Sequence, residues 1–385
     1  MTDIEYDLAH VRLLDSTDPY VRFRDLLPVA DPALLAGARY TPTVHARALG
    51  AHVGLQSLYL KNETVLPTGT TKDRMAAVAL AFLWERGVRE FCTSSTGNSS
   101  SAYAHAVGAY PGMHLYLFTA EGFERRVHFA DNDQVTHFIL RDASFVEAFA
   151  FAGTFAARCQ LVSERGFFNP GRREGLKLAF LEAAEQVPGP IDWYVQAISS
   201  AMGVYGAYKG AQELYALGRI DRLPRLLCVQ QESCAPMVRA FLDRSDVVQP
   251  EHIVPRPHGI AEAILRGDPT KAYPHVRRIV EHSNGTMRAV GESEIREARR
   301  LLRDLEGIDV CFSAATAVAG LIRAVREGTL PANDTVLVNL TGRDRTGDAN
   351  LSASHWLARQ GDDWSPAGPE APAVRAWWRG GASRD

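Results

Sequence analysis

The sequence predicts an α/β protein, and three observations carry that prediction. Between Leu58 and Ile220 short apolar runs alternate with longer amphipathic stretches, as when parallel strands are covered by crossover helices. Several of the short runs have the residue types of strands buried on both faces. The chain is also long and apolar: 385 residues, 46% of them hydrophobic, can bury a large core in one large or two medium domains. Two domains with a cleft between them are the expected arrangement.

In chain order, strands are expected at Ser57 to Leu60, Glu90 to Thr93, Met113 to Phe118, Val135 to Leu140, Trp193 to Ala197, Leu226 to Gln230 and Thr335 to Leu340. Helical periodicity fits Thr71 to Arg86, Ser99 to Val107, Glu121 to Ala130, Phe145 to Arg165, Arg172 to Gln186, Gly203 to Leu217, Gly259 to Leu265, Glu292 to Leu305 and Ala314 to Arg326. Pro188-Gly-Pro190 breaks one helix before the Trp193 strand, and the Pro- and Gly-rich tail from Ser365 onward has no clear periodicity and reads as loosely attached. No internal repeat or coiled-coil heptad is visible.

Net charge is −3, with 42 basic and 45 acidic residues and no basic block, so nothing marks a nucleic-acid footprint and a small metabolite is the expected partner. Cys92, Cys159, Cys228, Cys234 and Cys311 are widely spaced and odd in number, form no CxxC, and read as reduced, mostly buried thiols of a cytoplasmic protein. The opening MTDIEYDLAH is not a conventional signal peptide, and no apolar run has membrane length, so a soluble intracellular protein is expected. His252, His258 and His282 lack metal-ligand spacing and read as loop or core histidines.

Three segments carry candidate chemistry. In Leu66-Pro-Thr-Gly-Thr-Thr-Lys-Asp-Arg74, Lys72 stands at a polar turn before an apolar helix. There the positive end of the peptide dipoles and the neighbouring Arg74 disfavour its protonation, and an unprotonated amine forms imines. The bland alternative is a solvent-facing lysine in a first helical turn. Thr93-Ser-Ser-Thr-Gly-Asn-Ser-Ser-Ser101 gathers Ser95, Thr96, Gly97 and Asn98 between a strand end and a helix start. It suits a carboxylate, with Asn98 able to donate to an aromatic hydroxyl; a serine-rich cap explains it equally. Gln196-Ala-Ile-Ser-Ser-Ala-Met-Gly203 repeats the context, its small residues Ala197, Ile198, Ser199, Ser200, Ala201, Met202 and Gly203 letting backbone approach a phosphate; otherwise it is a tight connection. Thr341, after the strand that ends near Asn339, should lie at the crevice edge, where a hydroxyl reaches a heterocyclic nitrogen.

Pro67-Thr-Gly-Thr-Thr-Lys-Asp-Arg74 resembles the lysine motif of threonine synthases, and Ser95-Thr-Gly-Asn98 resembles their loop around the substrate carboxylate. Gly259-Ile-Ala-Glu-Ala-Ile264, Ser313-Ala-Ala315 and Thr341-Gly342 follow in the family's order, with Arg22 to Pro28 and Tyr40-Thr-Pro42 preceding them, so the resemblance spans roughly Tyr20 to Gly342. It implies fold type II of the pyridoxal-phosphate enzymes: two three-layer αβα domains with the cofactor in the cleft between them. Residues 96–190 would form the smaller, substrate-clamping domain, residues 1–95 and 191–365 the larger, and residues 366–385 a flexible tail. It further implies a homodimer and pyridoxal 5'-phosphate bound by Lys72 through an imine. Asn98 would approach the ring hydroxyl, residues 197–203 would hold the phosphate and Thr341 would face the pyridine nitrogen. Ser95 to Asn98 would contact substrate. Lys61, at a strand end just before the lysine turn, Thr71 and Arg74 surround the lysine in sequence and offer a pocket for a leaving phosphate, with Arg74 equally placed to pair structurally with Asp73 or Glu63.

The sequence also departs from ordinary threonine synthases: Thr70-Thr71 replaces Ser-Phe, and Ala197 to Gly203 replaces a glycine-dense loop. Gln196-Ala197 is closer to cysteate synthases, which replace the phosphate of phosphoserine with sulfite. The expected activity is therefore lyase chemistry on a phosphorylated amino acid, O-phosphohomoserine to threonine first. Replacement on O-phosphoserine and dehydration of a hydroxyamino acid are the alternatives, and a non-catalytic amino-acid binder is disfavoured by Lys72, Asn98 and Thr341 together.

Overall fold

A computed structural model describes residues 1–367 except 2, 36, 131, 346–348, 350, 352 and 353. Its strands are β1 (Thr43–His45), β2 (Ser57–Asn62), β3 (Glu90–Ser94), β4 (His114–Ala120), β5 (Val135–Leu140), β6 (Val162–Ser163), β7 (Trp193–Ala197), β8 (Arg225–Gln231), β9 (Thr286–Val290), β10 (Thr335–Leu340), β11 (Ser354–Gln360) and β12 (Asp363–Pro366). They form two six-stranded sheets. The chain divides into two compact units, Met1–Val78 with Pro170–Asp344, and Ala79–Asn169 with Arg345–Asp385.

The first unit holds the sheet β1-β2-β10-β7-β8-β9, parallel throughout except for the antiparallel edge pair β1/β2. Alternation along β7 assigns its two faces. Trp193, Val195 and Ala197 enter an apolar core with Leu49, Leu301, Leu302, Val318 and Leu321, from the helices Arg47–Val53, Glu292–Glu306 and Phe312–Arg326. Tyr194 points the other way and meets Phe180 of the helix Pro170–Gln186 edge to face.

That helix is buried along nearly its whole length although it carries Arg172, Arg173, Glu174, Lys177 and Glu182. It approaches the first turn of Lys72–Glu85 so closely that a Cβ at Gly175 would collide with the Arg74 carbonyl. Four of these charges are tolerated because they are paired, Arg173 with Asp3 at 3.1 Å. Lys177 and Lys209 neutralise Glu174 and Glu213, with the Tyr6 hydroxyl donating to Glu174 at 2.9 Å. Glu182 is paired with Lys61 and Arg74.

The second unit holds the sheet β12-β11-β5-β4-β3-β6, with β11/β12 antiparallel and the other pairs parallel. One face packs Phe118, Phe138 and Leu140 against Phe151 and Phe155 of the helix Phe145–Arg158, whose start is a capping box between Ser144 and Glu147. On the helix Asn98–Val107, Tyr103 meets Phe91 of β3 edge to face and donates to Glu164 at 2.9 Å.

Several expectations change. Residues 79–95 group with the second unit because β3 pairs with β4 and β6, and residues 345–366 join it because β11 pairs with β5. Residues 170–190 group instead with the first unit, where their helix is buried. The helix expected at 121–130 is only the turn Glu124–Arg126, interrupted by Gly122 at φ 92°. That expected at 259–265 is only Glu262–Ile264, after Gly259 at φ 138°. The helix expected to reach Arg165 ends at Arg158, and Gln160 at φ 54° turns the chain into β6. The helices Pro236–Leu242 and Tyr273–His282 and the strand β9 were not expected. Ser365 and Pro366 belong to β12, whereas residues 368–385 of the expected tail lie outside the described residues.

Candidate active site

Parallel neighbours β2, β10 and β7 end on one edge of the first sheet, and each releases one candidate segment there. After β2 the chain turns through Glu63–Val65 and reaches Lys72 at the start of its helix. After β10 comes Thr341, and after β7 comes the Ala197 to Gly203 connection. Thr341 and the lysine turn meet directly, 269 positions apart in sequence as they are. The Thr71 N–H donates to the Thr341 carbonyl at 2.9 Å and the Arg343 N–H to the Gly69 carbonyl at 3.0 Å, closing a short antiparallel bridge between Thr70 and Gly342. Gly342 is required by this approach, since a Cβ there would stand 2.8 Å from Thr70 Cγ2 and 2.9 Å from the Gly69 carbonyl.

Lys72 is half-buried, and its amine is pushed down to about 8 by burial first and by the nearby Arg172 guanidinium second. Position in the sequence points instead to Arg74 as that neighbouring charge. Arg74 is in fact neutralised: its Nε donates to Glu63 at 2.7 Å, and Glu182 binds its other side. Burial opposes each charge in this pair, but mutual attraction outweighs it, raising Arg74 and lowering Glu63. Beside Lys72, Thr71 is 2% exposed and its hydroxyl has no hydrogen-bond partner, while the Cys311 backbone N–H donates to the Gly342 carbonyl at 3.0 Å.

Lys61 is therefore corrected as a substrate contact, and of the two readings of Arg74 the structure supports the pairing with Glu63. Lys61 is fully buried, and its ammonium donates to the Thr41 carbonyl (2.7 Å), Glu182 (2.8 Å) and Gln186 (3.1 Å). Arg74 is 2% exposed and shares Glu182 and Glu63. Together with Glu63 and Glu182 they balance two positive against two negative charges beneath the lysine helix, with nothing left to meet a ligand. Burial nevertheless dominates over Glu182 and lowers the Lys61 pKa.

The Ala197 to Gly203 connection turns without glycine at its bend. Ala201 adopts φ 60°, ψ 22° and immediately precedes the helix Met202–Ala216, a left-handed placement costing a side-chain-bearing residue about 1–2 kcal/mol. Ser200 is buried and Ser199 part-exposed. The first-turn N–H groups of that helix face out of it without intrahelical acceptors.

In the second unit, Ser95 caps the helix that begins at Asn98. Its hydroxyl accepts from the Gly97 and Ser100 N–H groups, both at 3.1 Å, and pairs with the Ser100 hydroxyl at 2.7 Å. Serine capping thus describes part of this loop. Gly97 takes φ 119°, and Thr96 is half-buried. The Asn98 side-chain oxygen accepts from Arg345 at 2.9 Å, which orients the amide and leaves its NH2 as the donor.

Sequence reasoning missed Arg172 and the position of Cys311. Arg172 opens a helix just after Asn169-Pro170, and that arginine-bearing start was the available signal. Of the three histidines singled out, His252 lies between the Gln249 N–H and Asp243, His282 pairs with the Tyr208 hydroxyl at 3.0 Å, and His258 is exposed with its ring 3.4 Å from the Arg256 carbonyl. Among the described residues, no cluster of three potential metal ligands occurs, and no helix is long and apolar enough to cross a membrane.

Comparison with known proteins adds the family. The family described as pyridoxal-phosphate dependent enzyme matches residues 34–342. Threonine synthase of Methanosarcina acetivorans is 30% identical over 355 residues, covering 89% of this chain and 85% of that protein. Cysteate synthase of Methanoregula boonei is 29% identical over 335 residues, covering 83% and 78%. Among solved structures, maize serine racemase superposes with a TM-score of 0.63 at 19% identity, over 80% of this chain and 89% of that one. Threonine deaminase isoform 2 of Solanum lycopersicum gives 0.65 at 15% identity, over 88% and 92%, and such neighbours share the type II fold. With Lys72 and Thr341 both inside that matched span, the chain belongs to the pyridoxal-phosphate-dependent enzymes as a threonine synthase-like lyase.

Proposed function

We propose that the enzyme eliminates phosphate from O-phosphohomoserine and adds water to give threonine. The observation that carries the reading is Lys72, its amine lowered to about 8 and pinned beside Thr341. The residues fit the cofactor by their chemistry. Lys72 offers an amine that is partly unprotonated near neutral pH, Thr341 a neutral hydroxyl for the ring nitrogen, and Ala197 to Gly203 a helix start for the phosphate. Asn98 offers its oriented NH2 to the ring hydroxyl. When bound, pyridoxal phosphate supplies an electron sink for negative charge at the substrate Cα.

The chain's own residues then move protons. Displaced by the substrate amine, Lys72 Nζ takes the Cα proton, gives it up and so returns to the neutral amine, and in the threonine synthase reading then takes a second proton from Cβ before the Cγ–O bond breaks and phosphate leaves with that oxygen. Arg172, near enough to depress Lys72, supplies positive charge where phosphate departs, the role first expected of Lys61 and Arg74. Ser95 to Asn98 presents helix-start donors to a substrate carboxylate, and Thr71 adds a buried hydroxyl beside the lysine. A cytoplasmic homodimer is the setting that the resemblance supports.

A second reading has its own support. Gln196-Ala197 and the glycine-poor connection resemble cysteate synthases, and a cysteate synthase matches the chain almost as well as the threonine synthase does. The test is phosphate release from O-phosphohomoserine and O-phosphoserine, each with and without sulfite or a thiol, followed by product identification. Threonine from O-phosphohomoserine supports the proposal. Release from O-phosphoserine alone, with a sulfonated or thio product, moves the assignment to replacement at Cβ. Ketoacid from unphosphorylated serine or threonine overturns both.

A further inference from the structure

We infer that the side-chain amide of Gln196 is a donor to the cofactor's phosphate, completing a cradle that has lost its glycines. The inference rests on the placing of Ala197 to Gly203 around that phosphate, proposed above. Gln196 is 5% exposed and stands at the end of β7, on the Tyr194 face. Its carbonyl oxygen accepts from the Tyr194 hydroxyl at 2.7 Å and from the Asn339 amide at 3.1 Å, while that same Asn339 amide donates to Tyr194 at 2.9 Å. Two donors on one oxygen fix which way the amide faces. The NH2 group must lie opposite, and there it meets Gly203: a Cβ at that position would collide with Gln196 Nε2.

Gly203 is the second residue of the helix Met202–Ala216, so this NH2 stands beside that helix's unsatisfied first-turn donors. Nε2 makes no hydrogen bond to any described residue. A donor held in place by two others, buried, and set beside further donors calls for an acceptor with several oxygens. A phosphate dianion meets that description, and the helix dipole favours its charge. Tyr194 and Asn339 are then positioning residues, acting through Gln196. Gly203 remains glycine because a side chain would displace the amide from its place.

The experiment compares pyridoxal phosphate with pyridoxal, which lacks only the phosphate, in titrations of apoprotein monitored by absorbance, together with the phosphorus NMR resonance of the bound phosphate. Gln196→Leu should weaken pyridoxal phosphate by about 10- to 100-fold, the range for one hydrogen bond to a charged group, and leave pyridoxal affinity within about twofold. Gln196→Glu keeps the shape and should weaken pyridoxal phosphate further at pH 8 than at pH 6, since its carboxylate repels the phosphate when ionised. It serves alone if the leucine variant does not fold. In both variants the phosphorus resonance should shift from the wild-type position. Equal weakening of both ligands, or an unchanged phosphorus resonance, would overturn the inference and leave Gln196 a structural brace. Ser199→Asp separates this from failure of the loop assignment. If it selectively weakens pyridoxal phosphate while the Gln196 variants do not, the cradle stands and Gln196 is outside it; if none discriminates the two ligands, the loop assignment itself fails.

Discussion

Replacing Lys61 with methionine tests whether the charge cluster beneath the lysine helix is structural. Methionine roughly keeps the volume but removes an ammonium that is fully buried and donates to Thr41, Glu182 and Gln186. Glu182 and Glu63 would then share Arg74 alone, leaving one uncompensated negative charge with no access to water. Removing one partner from a buried pair costs about 3–5 kcal/mol, far more than an exposed pair, which is worth about 0–1 kcal/mol. At a urea slope near 3 kcal/mol/M the transition midpoint should fall by roughly 1–2 M. Tryptophan fluorescence during urea unfolding reads this through Trp193, which lies in the first unit's core. In the fraction that remains folded, KM for the phosphorylated substrate should stay within about twofold. An unchanged midpoint with a KM raised about tenfold or more would refute the reasoning and return Lys61 to the substrate.

Lys72→Ala should slow Cα proton exchange by at least the roughly 10² to 10⁴ expected for loss of a general base, measured by deuterium incorporation under saturating substrate. In the apoprotein, acylation of Lys72 should rise with pH through a midpoint about 8, because the amine is protonated and inert below that value and neutral above it. Arg172→Met removes the second cause of the depression and should move the midpoint upward, which pH-resolved peptide labelling would show. Gly342→Ala places a methyl 2.8 Å from Thr70 Cγ2, and should cost about 1–3 kcal/mol while loosening the lysine turn and weakening cofactor binding.

The strands and long helices around the sheet edge were legible because burial on both faces leaves continuous apolar runs, as in β7 and β10, and because the helix from Phe312 repeats its apolar residues at helical spacing. Lys72 was legible as a helix-start residue and Thr341 as a strand-end residue, but the meeting of their segments depends on Thr70 bridging Gly342, a pairing that no local pattern encodes. Lys61 misled for a related reason, and Arg74 left two readings open, a ligand contact or a pairing with Glu63. Charge near a catalytic turn reads as ligand binding until its counter-charge is known, and Glu182 sits 121 positions from Lys61 and 108 from Arg74. The helix Pro170–Gln186 also hides its burial, because paired charges give it a polar composition on every side. β9 was missed since Thr286-Met-Arg-Ala-Val290 alternates only weakly, and β11 and β12 lie beyond the last strong apolar run.

The most direct test of the central claim is to reduce the cofactor-loaded protein with borohydride, digest it and locate the modified peptide by mass spectrometry. A single pyridoxyl group is expected on Lys72, with loss of visible absorption in step with its formation and no labelled peptide from Lys72→Ala. A pyridoxyl group on any other lysine, or unchanged labelling of the alanine variant, would contradict it.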